Sequence, residues 1–564
     1  MKKLKSYMHN YSRAVLTDVG VMIKDQQSFS TDAVKDNAVD DSGPVTDPFV
    51  DQEEDEAAAA RTSYDGASFI SCVTCLSDND SEDQGNGGRS LPANTLIPYV
   101  KILYARKVCA VTTELSHYRD EVNQSNDGDA DTLGAEFLST LIEVTIAKPR
   151  RHDLVPKKLL LCFGTTLSEE DIVETLMQRS YKGTKRGKSI LVLVNPHGGK
   201  GQAKKLFVSK VKPILTASNC MVDTLETTHR GHAMEIAQTV NIDKYDIIAC
   251  ASGDGIPHEV LNGLFRREDR AAAFNKLAIT QLPCGSGNAM SLSCHGTTNP
   301  TYAALSVVKA PEIRIDLMCC TQESYKDHPK VSFLSQTYGV IAESDINTEC
   351  IRWMGPSRFE LGVLLNILQR KKYPCELYVK YLAKSKNELR EYYNFHKKKQ
   401  EQANNDSSSD FSESLDVEES DFTLKYDLLS DIPEDWDIVD SSVTGNLGIF
   451  YAGKMPYVAP NTKFFPAALP NDGAVDLVLT DSRTSLTRMA PILLSLDKGY
   501  HVLQPEVIHS KVTAYRLIPK VKNSIISIDG EMFPFEPLQV EVLSGLCKTL
   551  SYNGSYVETD FESM

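Results

Sequence analysis

The sequence predicts an α/β domain built on a parallel sheet, followed by an antiparallel β-rich domain and preceded by a smaller β-rich one. Three observations carry this. Between residues 189 and 315, short apolar runs at 190–194, 246–251 and 277–282 alternate with segments of helical periodicity, the order that builds a parallel sheet. Each run ends in a glycine-rich turn. Beyond Val331 the pattern becomes a series of β-rich runs interrupted by one helix. At 564 residues the chain is too long for one ordinary core, so two or three domains are expected.

Residues 1–90 read as a disordered acidic tail, because 40–56 is acidic with little apolar surface and 77–88 is almost all Asp, Ser, Gly and Asn. Residues 91–183 read as a small β-rich domain, with strands at 95–108, 137–147 and 158–163 and a closing helix over 167–179. A basic link over 182–188 leads into the α/β domain at 186–320. There Phe207, Val211, Ile214 and Leu215 mark one helix, His232, Ile236 and Val240 a second, and Val260, Leu261 and Leu264 a third. The second β-rich domain spans 321–546, with strands at 331–341, 377–382, 447–458, 475–479, 512–518 and 524–528 and a helix over 486–500. Within it, 397–440 reads as a disordered acidic insertion, since from Glu401 to Asp440 the only Lys or Arg is Lys425. Ser412 and Ser414 lie among its acidic residues as candidate phosphorylation sites. Residues 547–564 read as a C-terminal tail.

Composition excludes some classes. The formal charge is −16, which argues against a general nucleic-acid binder and against a general binder of anionic membranes. The 13 cysteines show no repeated short spacing, and the first 23 residues lack the apolar core of a secretory signal. Both point to a reducing, cytoplasmic setting. No run of 18 apolar residues exists, so any membrane contact is expected to be peripheral.

The chemistry concentrates in the three turns. They are Asn195-Pro196-His197-Gly198-Gly199-Lys200-Gly201, Ser252-Gly253-Asp254-Gly255 and Pro283-Cys284-Gly285-Ser286-Gly287-Asn288. Each lies where a strand gives way to a helix, at the carboxyl edge of the sheet, where open α/β folds bind ligands. Without a Cβ, backbone N–H groups can approach phosphate oxygens, and a following helix N-terminus adds partial positive charge. Any one turn alone is ordinary turn chemistry. Three in succession, one carrying an aspartate, indicate a phosphate site. It is not a Walker-A loop, because Lys200 is followed by Gly201, and the His-Arg-Asp and Asp-Phe-Gly set of protein kinases is missing. Met290 breaks the dinucleotide fingerprint.

As a set, Asn-Pro-x-Gly-Gly-Lys-Gly, Ser-Gly-Asp-Gly-x-x-x-Glu-Val and Gly-Ser-Gly-Asn resemble the diacylglycerol-kinase-type catalytic fold, and within it the sphingosine kinases, over roughly 186–382 and 440–546. The acidic insertion and long tail resemble fungal members. The resemblance implies ATP- and Mg²⁺-dependent phosphorylation of the primary hydroxyl of a sphingoid long-chain base, such as sphingosine, sphinganine or phytosphingosine. It implies nucleotide contacts from Asn195, Pro196 and His197, from Thr227, Thr228, His229, Arg230 and Gly231, and from Ser252, Gly253, Glu259, Ser286, Gly287 and Asn288. Arg352 and Arg358 match arginines that contact ATP phosphates, and Asp529-Gly530-Glu531 matches a late segment that returns to the nucleotide. Asp254 matches the general base and, with Ser252, Gly253 and Gly255, the substrate site. Asp345 matches a carboxylate that holds the substrate's ammonium group. This chain departs from the family pattern at His197, His229 and Gly231. Plainer readings stay open: Asp254 as a helix cap, Asp345 as a surface carboxylate, Arg352 and Arg358 as surface arginines, and Asp529 as part of an Asp-Gly hairpin.

The alternatives in function are a diacylglycerol or ceramide kinase of the same fold, a catalytically silent lipid-binding scaffold and a soluble NAD kinase of related fold. An amine-binding Asp345 favours a free base. Phe359, Val363, Leu364, Ile367 and Leu368 form an apolar helical stripe suited to a core or to an acyl-chain pocket. Cys72 and Cys75 lie beside Phe69, Ile70 and Leu76, a setting for reversible S-acylation and hence for anchoring at a membrane surface. The resemblance also implies a pleckstrin-homology-like identity for 91–183.

Overall fold

The computed structural model describes residues 12–25, 94–107, 141–163, 169–198, 201–347, 371–406, 416–522 and 524–564. They group into two units, one of residues up to Arg186 together with Ala217–Asn219 and one of Gly187–Thr216 and Cys220–Met564.

The first unit is a six-stranded sheet backed by one helix. Its strands are β1 (Ser12–Leu16), β2 (Gly20–Asp25), β3 (Leu96–Pro98), β4 (Ile102–Lys107), β5 (Leu141–Arg150) and β6 (Asp153–Phe163), in the order β3-β2-β1-β6-β5-β4. All neighbours are antiparallel except β1 and β6. Helix α1 (Glu169–Tyr181) buries Ile172, Leu176, Met177 and Tyr181, and the Tyr181 hydroxyl donates to Leu103 O at 2.7 Å. Residues 12–25 therefore do not belong to a disordered tail. Their inward residues Ala14, Val21 and Ile23 are buried, but the acidic stretch that follows dominates the composition and hides two strands of five and six residues.

The second unit opens as expected, with β7 (Ser189–Val194), the helical stretch 203–217, β8 (Met221–Glu226), α2 (His232–Thr239), β9 (Ile247–Ser252), α3 (Gly255–Phe265), α4 (Arg270–Lys276), β10 (Ala278–Pro283), α5 (Ala289–His295) and α6 (Pro300–Lys309). The four strands are parallel in the order β10-β9-β7-β8. Four of them exist where the apolar runs gave three. As the edge strand, β8 exposes Met221, Asp223 and Leu225 and so has no apolar run to read.

The antiparallel part contributes β11 (Glu312–Thr321), β12 (Lys330–Ser332), β13 (Ser335–Gly339), α7 (Val340–Asn347), β14 (Cys375–Ala383), α8 (Lys386–Asp406), β15 (Asp437–Ile438), β16 (Leu447–Gly453), β17 (Val475–Asp481), α9 (Leu486–Leu494), β18 (Val507–Pro519), β19 (Ile526–Ile528), β20 (Glu531–Phe533) and β21 (Leu538–Leu550). It is not a separate sheet. Strand β21 pairs with β18 and β11 and reaches β10 through the parallel register Ala278↔Lys548, so 15 strands form one continuous sheet.

Four expectations are corrected here. The strand foreseen at 331–341 is two short strands followed by α7, which carries residues 341–345. The helix foreseen over 486–500 ends at Leu494, and Gly499 at φ 79° turns the chain into a 3₁₀ segment. The start of the acidic insertion is the C-terminal part of α8, whose Leu389 and Tyr393 pack with Phe561, and Val417, Phe422 and Trp436 are buried later in the insertion. A few apolar anchors per charged stretch suffice when a neighbouring surface already exists to receive them. Residues 547–564 are no tail either: β21 runs to Leu550, Tyr556 and Phe561 are buried, and Val557 N donates to Ser293 O at 2.9 Å. Ser412 and Ser414 lie outside the described residues.

The antiparallel core holds a fully buried chain of ion pairs. Lys454 pairs with Asp316 (2.6 Å) and Asp472, Lys511 with Asp472 (3.0 Å) and Asp476 (2.9 Å), and His509 with Asp476 (2.7 Å). No helix among the described residues is long and apolar enough to cross a membrane.

Candidate active site

In the order β10-β9-β7-β8 the strands are added first to one side of β7 and then to the other, so the crevice for a ligand opens at the carboxyl ends of β7 and β9. The first two turns meet there. Asn195 N donates to Ala251 O (3.3 Å), and the Asn195 side chain accepts His197 N (3.0 Å), which folds the first turn back on itself. The loop after β8 is tied in by Thr227 N donating to Val194 O (2.9 Å).

The third turn lies flat on the second. A Cβ on Gly285 would stand 2.2 Å from Gly253 N, so position 285 must be bare backbone. Asn288, at φ 60°, closes the turn by accepting from Gly285 N (3.2 Å) and donating to Gly285 O (3.0 Å). Ser286 stands exposed at its tip.

Asp254 precedes α3, yet its side chain does not cap that helix. It crosses to the third turn instead. Its Oδ1 accepts from Ala289 N (2.8 Å), at the start of α5, and from Gln281 Nε2 (3.1 Å) on β10. Its Oδ2 lies over Gly287, where a Cβ would stand 2.3 Å away. Burial pushes this carboxyl up to about 6; the Gln281, Ala289 and Met290 donors oppose the rise and the Asp529 carboxylate adds to it. Among the described residues no cation lowers it.

Glu259, one turn into α3, accepts from Gly231 N (2.9 Å) and Ala233 N (3.1 Å), fixing the loop 227–231 at the start of α2. Gly231 sits at φ 88°, a conformation that favours glycine. His229 stacks on His232, and Thr228 N donates to His232 Nδ1 (3.1 Å). Arg230 reaches over to pair with Glu531.

Asp529 and Gly530 have successive φ values of 51° and 82°, as an Asp-Gly hairpin requires, joining β19 to β20. The carboxylate does more than make the turn. It accepts from Ser332 Oγ (2.6 Å), Phe333 N (3.2 Å), Leu334 N (3.1 Å) and Ser335 N (2.9 Å), and from His258 Nδ1 (2.8 Å) on α3. Asn262, one turn further on, pairs with both backbone groups of Val331. Three polar side chains thus fasten α3 to the segment 331–335 that leads into α7.

Helix α7 carries Asp345, whose side chain lies outside the described residues. On the same helix Ile341 lines an apolar cavity completed by Ile449, Tyr451, Phe464, Val478, Ile492, Leu493, Leu496 and Val507. Arg352, Arg358, the stripe 359–368, Gly199, Lys200, Cys72 and Cys75 lie outside the described residues. Gln281, His258 and Asn262 were missed from sequence. Gln281 left a signal: a glutamine inside a strand buried on both faces needs a partner.

The diacylglycerol kinase catalytic domain model matches residues 189–320. The chain is 49% identical to Sphingoid long chain base kinase 5 of Saccharomyces cerevisiae, over 89% of this chain and 88% of that relative. It is 32% identical to Sphingoid long chain base kinase 4 of Schizosaccharomyces pombe, over 72% and 84%, and 30% identical to Sphingosine kinase 1 of Arabidopsis thaliana, over 74% and 90%. With its glycine turns gathered at one edge of the sheet around Asp254, and with 49% identity over 89% of its length to the Saccharomyces cerevisiae relative, the chain belongs to the sphingoid long-chain base kinases.

Proposed function

We propose that this protein transfers the γ-phosphoryl group of ATP to the primary hydroxyl of a sphingoid long-chain base, with Asp254 as general base. One observation carries the assignment: Asp254 stands where the glycine turns converge, held by neutral donors and raised to about 6. A carboxyl so placed is ionised at neutral pH yet basic enough to accept the hydroxyl proton as the bond to phosphorus forms. Among the described residues no cation pairs with it.

The glycine turns present backbone N–H groups to the triphosphate, and Thr227 to Gly231, held by Glu259, line the nucleotide's other side. Arg352 and Arg358 complete the phosphate site from the segment after α7. Asp529 contributes through position, since its oxygens accept from protein donors that fix α3 against 331–335. Among the described residues no group of three His, Cys, Asp or Glu is gathered to hold a metal, and the site carboxylates are occupied by protein partners. This donor set fits a Mg²⁺ ion carried by the nucleotide's own phosphates, where it supplies neutralisation of phosphate charge.

Asp345 holds the ammonium group of the base, and the small apolar cavity at Ile341 on the same helix marks where the hydrocarbon chain would enter the apolar core. This is the feature that favours a free base over diacylglycerol or ceramide, which lack the cation. The six-stranded sheet and helix before the catalytic unit support a pleckstrin-homology-like module that orients the enzyme at a membrane, assisted by S-acylation of Cys72 and Cys75.

The test is transfer of radiolabelled phosphate from ATP and Mg²⁺ to sphinganine, phytosphingosine, ceramide and diacylglycerol, with Asp254→Asn alongside. Label on the free bases alone, lost in the variant, is expected. Label on ceramide or diacylglycerol overturns the role of Asp345, and a folded active Asp254→Asn overturns the base. Palmitate that labels a Cys72→Ala/Cys75→Ala chain as well as wild type removes the acylation reading.

A further inference from the structure

Gln281 is fully buried in β10, among apolar neighbours on a strand with no solvent-facing side. A primary amide in that setting is destabilising unless both ends are satisfied. Both are. Its Oε1 accepts from Ser291 N (2.9 Å) in the first turn of α5, and its Nε2 donates to Asp254 Oδ1 (3.1 Å). The same Oδ1 takes Ala289 N (2.8 Å). One carboxylate oxygen is thus pinned by two donors, while the other lies over Gly287 in the third glycine turn. Strand register fixes the reach: Gln281 pairs with Cys250 and Pro283 with Ser252, so the amide starts one strand away from the turn that carries Asp254.

We propose that Gln281 is a positioning residue for Asp254, its amide holding one carboxylate oxygen so that the other faces the acceptor hydroxyl across the Gly287 turn. The inference rests on the reading of Asp254 as the general base. It gives Gln281 two linked tasks. The Oε1 end anchors the amide to α5, which fixes its orientation and leaves the donor end for Asp254. The Nε2 end favours the ionised carboxylate, and so opposes the rise that burial imposes.

The experiment is the pH dependence of kcat and kcat/KM for phosphorylation of sphinganine by wild type, Gln281→Met, Gln281→Glu and Asp254→Asn, with thermal melts to fix the folded fraction. Gln281→Met keeps the volume and removes the donor. Its kcat is expected to fall about 10- to 100-fold with little change in either KM, because the base is misaimed rather than the substrates lost. Its acidic limb is expected to move up by about one pH unit as the ionised carboxylate loses a donor. Gln281→Glu, which sets a second carboxyl against the first, moves the limb further in the same direction. Folded variants with the wild-type kcat and an unmoved limb overturn the proposal, as does activity that falls only in proportion to the folded fraction. An inactive wild type or an active Asp254→Asn instead overturns the site reading on which the proposal stands, and the two failures are told apart by the wild-type and Asp254→Asn controls.

Discussion

Two regions of this molecule bury carboxylates, and they treat them in opposite ways. In the antiparallel core, burial works against ionisation of Asp472 and Asp476, yet Lys454 and Lys511 outweigh it for Asp472, and Lys511 with His509 for Asp476, so both carboxyls stay below their usual range. Asp316, which shares Lys454 and feels Asp472 nearby, is raised by burial despite its partner. At the crevice of the parallel sheet, Asp254 has amide donors and, among the described residues, no cation, and it rises to about 6. The first arrangement fixes strands; the second, on the proposed function, keeps a carboxylate able to accept a proton. Among the described residues, Asp472 and Asp476 are held low by lysines, whereas Asp254 is held by amide donors and stays raised.

Substitutions break the contrast in order of effect. Asp254→Asn lowers kcat by about 10²–10⁴, roughly 3–5 kcal/mol in barrier, measured in the phosphate-transfer assay. The same change stabilises the fold above pH 6. A raised carboxyl gives stability that is fully present below the ordinary value of 3.8 and lost as pH rises through about 6, so the ionised form carries a cost that asparagine lacks. The gain, about 1–3 kcal/mol, appears as a higher melting temperature at pH 8 and vanishes at pH 4.

Lys511→Met acts in the opposite sense. It strands Asp472 and Asp476 without their shared cation and destabilises by about 3–5 kcal/mol in urea denaturation. In wild type the same pairs contribute stability above the ordinary carboxylate range that is lost as pH falls through the lowered folded values, so acid unfolding reports on this cluster and not on Asp254. Gly285→Ala drives a methyl into the Gly253 backbone and is expected to cost about 1–3 kcal/mol of stability, together with most activity, because the two turns are forced apart. Arg230→Ala is the mildest: its exposed pair with Glu531 contributes less than about 1 kcal/mol, so the melting temperature barely moves while KM for ATP rises. An unchanged KM would remove loop 227–231 from the nucleotide site.

The sequence by itself determined the three buried strands of the parallel half and the glycine turns that end them. Buried strands made of apolar runs, each ending in glycine, leave little freedom in fold, so the crevice to which Asp254, Glu259 and Asn288 belong was legible before any coordinates. The tertiary structure decided what periodicity does not encode. Edge strand β8 and strands β1 and β2 are stabilised by neighbours rather than by their own apolar content. Helix α8 and the 416–440 segment fold because a few side chains such as Tyr393, Phe422 and Trp436 find a ready surface. The partners of Asp254 and Asp529 come from strands and helices far apart in the chain, Gln281 from β10, His258 from α3 and the amides of 333–335. A single side chain's reach depends on register between strands, and register is set only when the whole sheet closes.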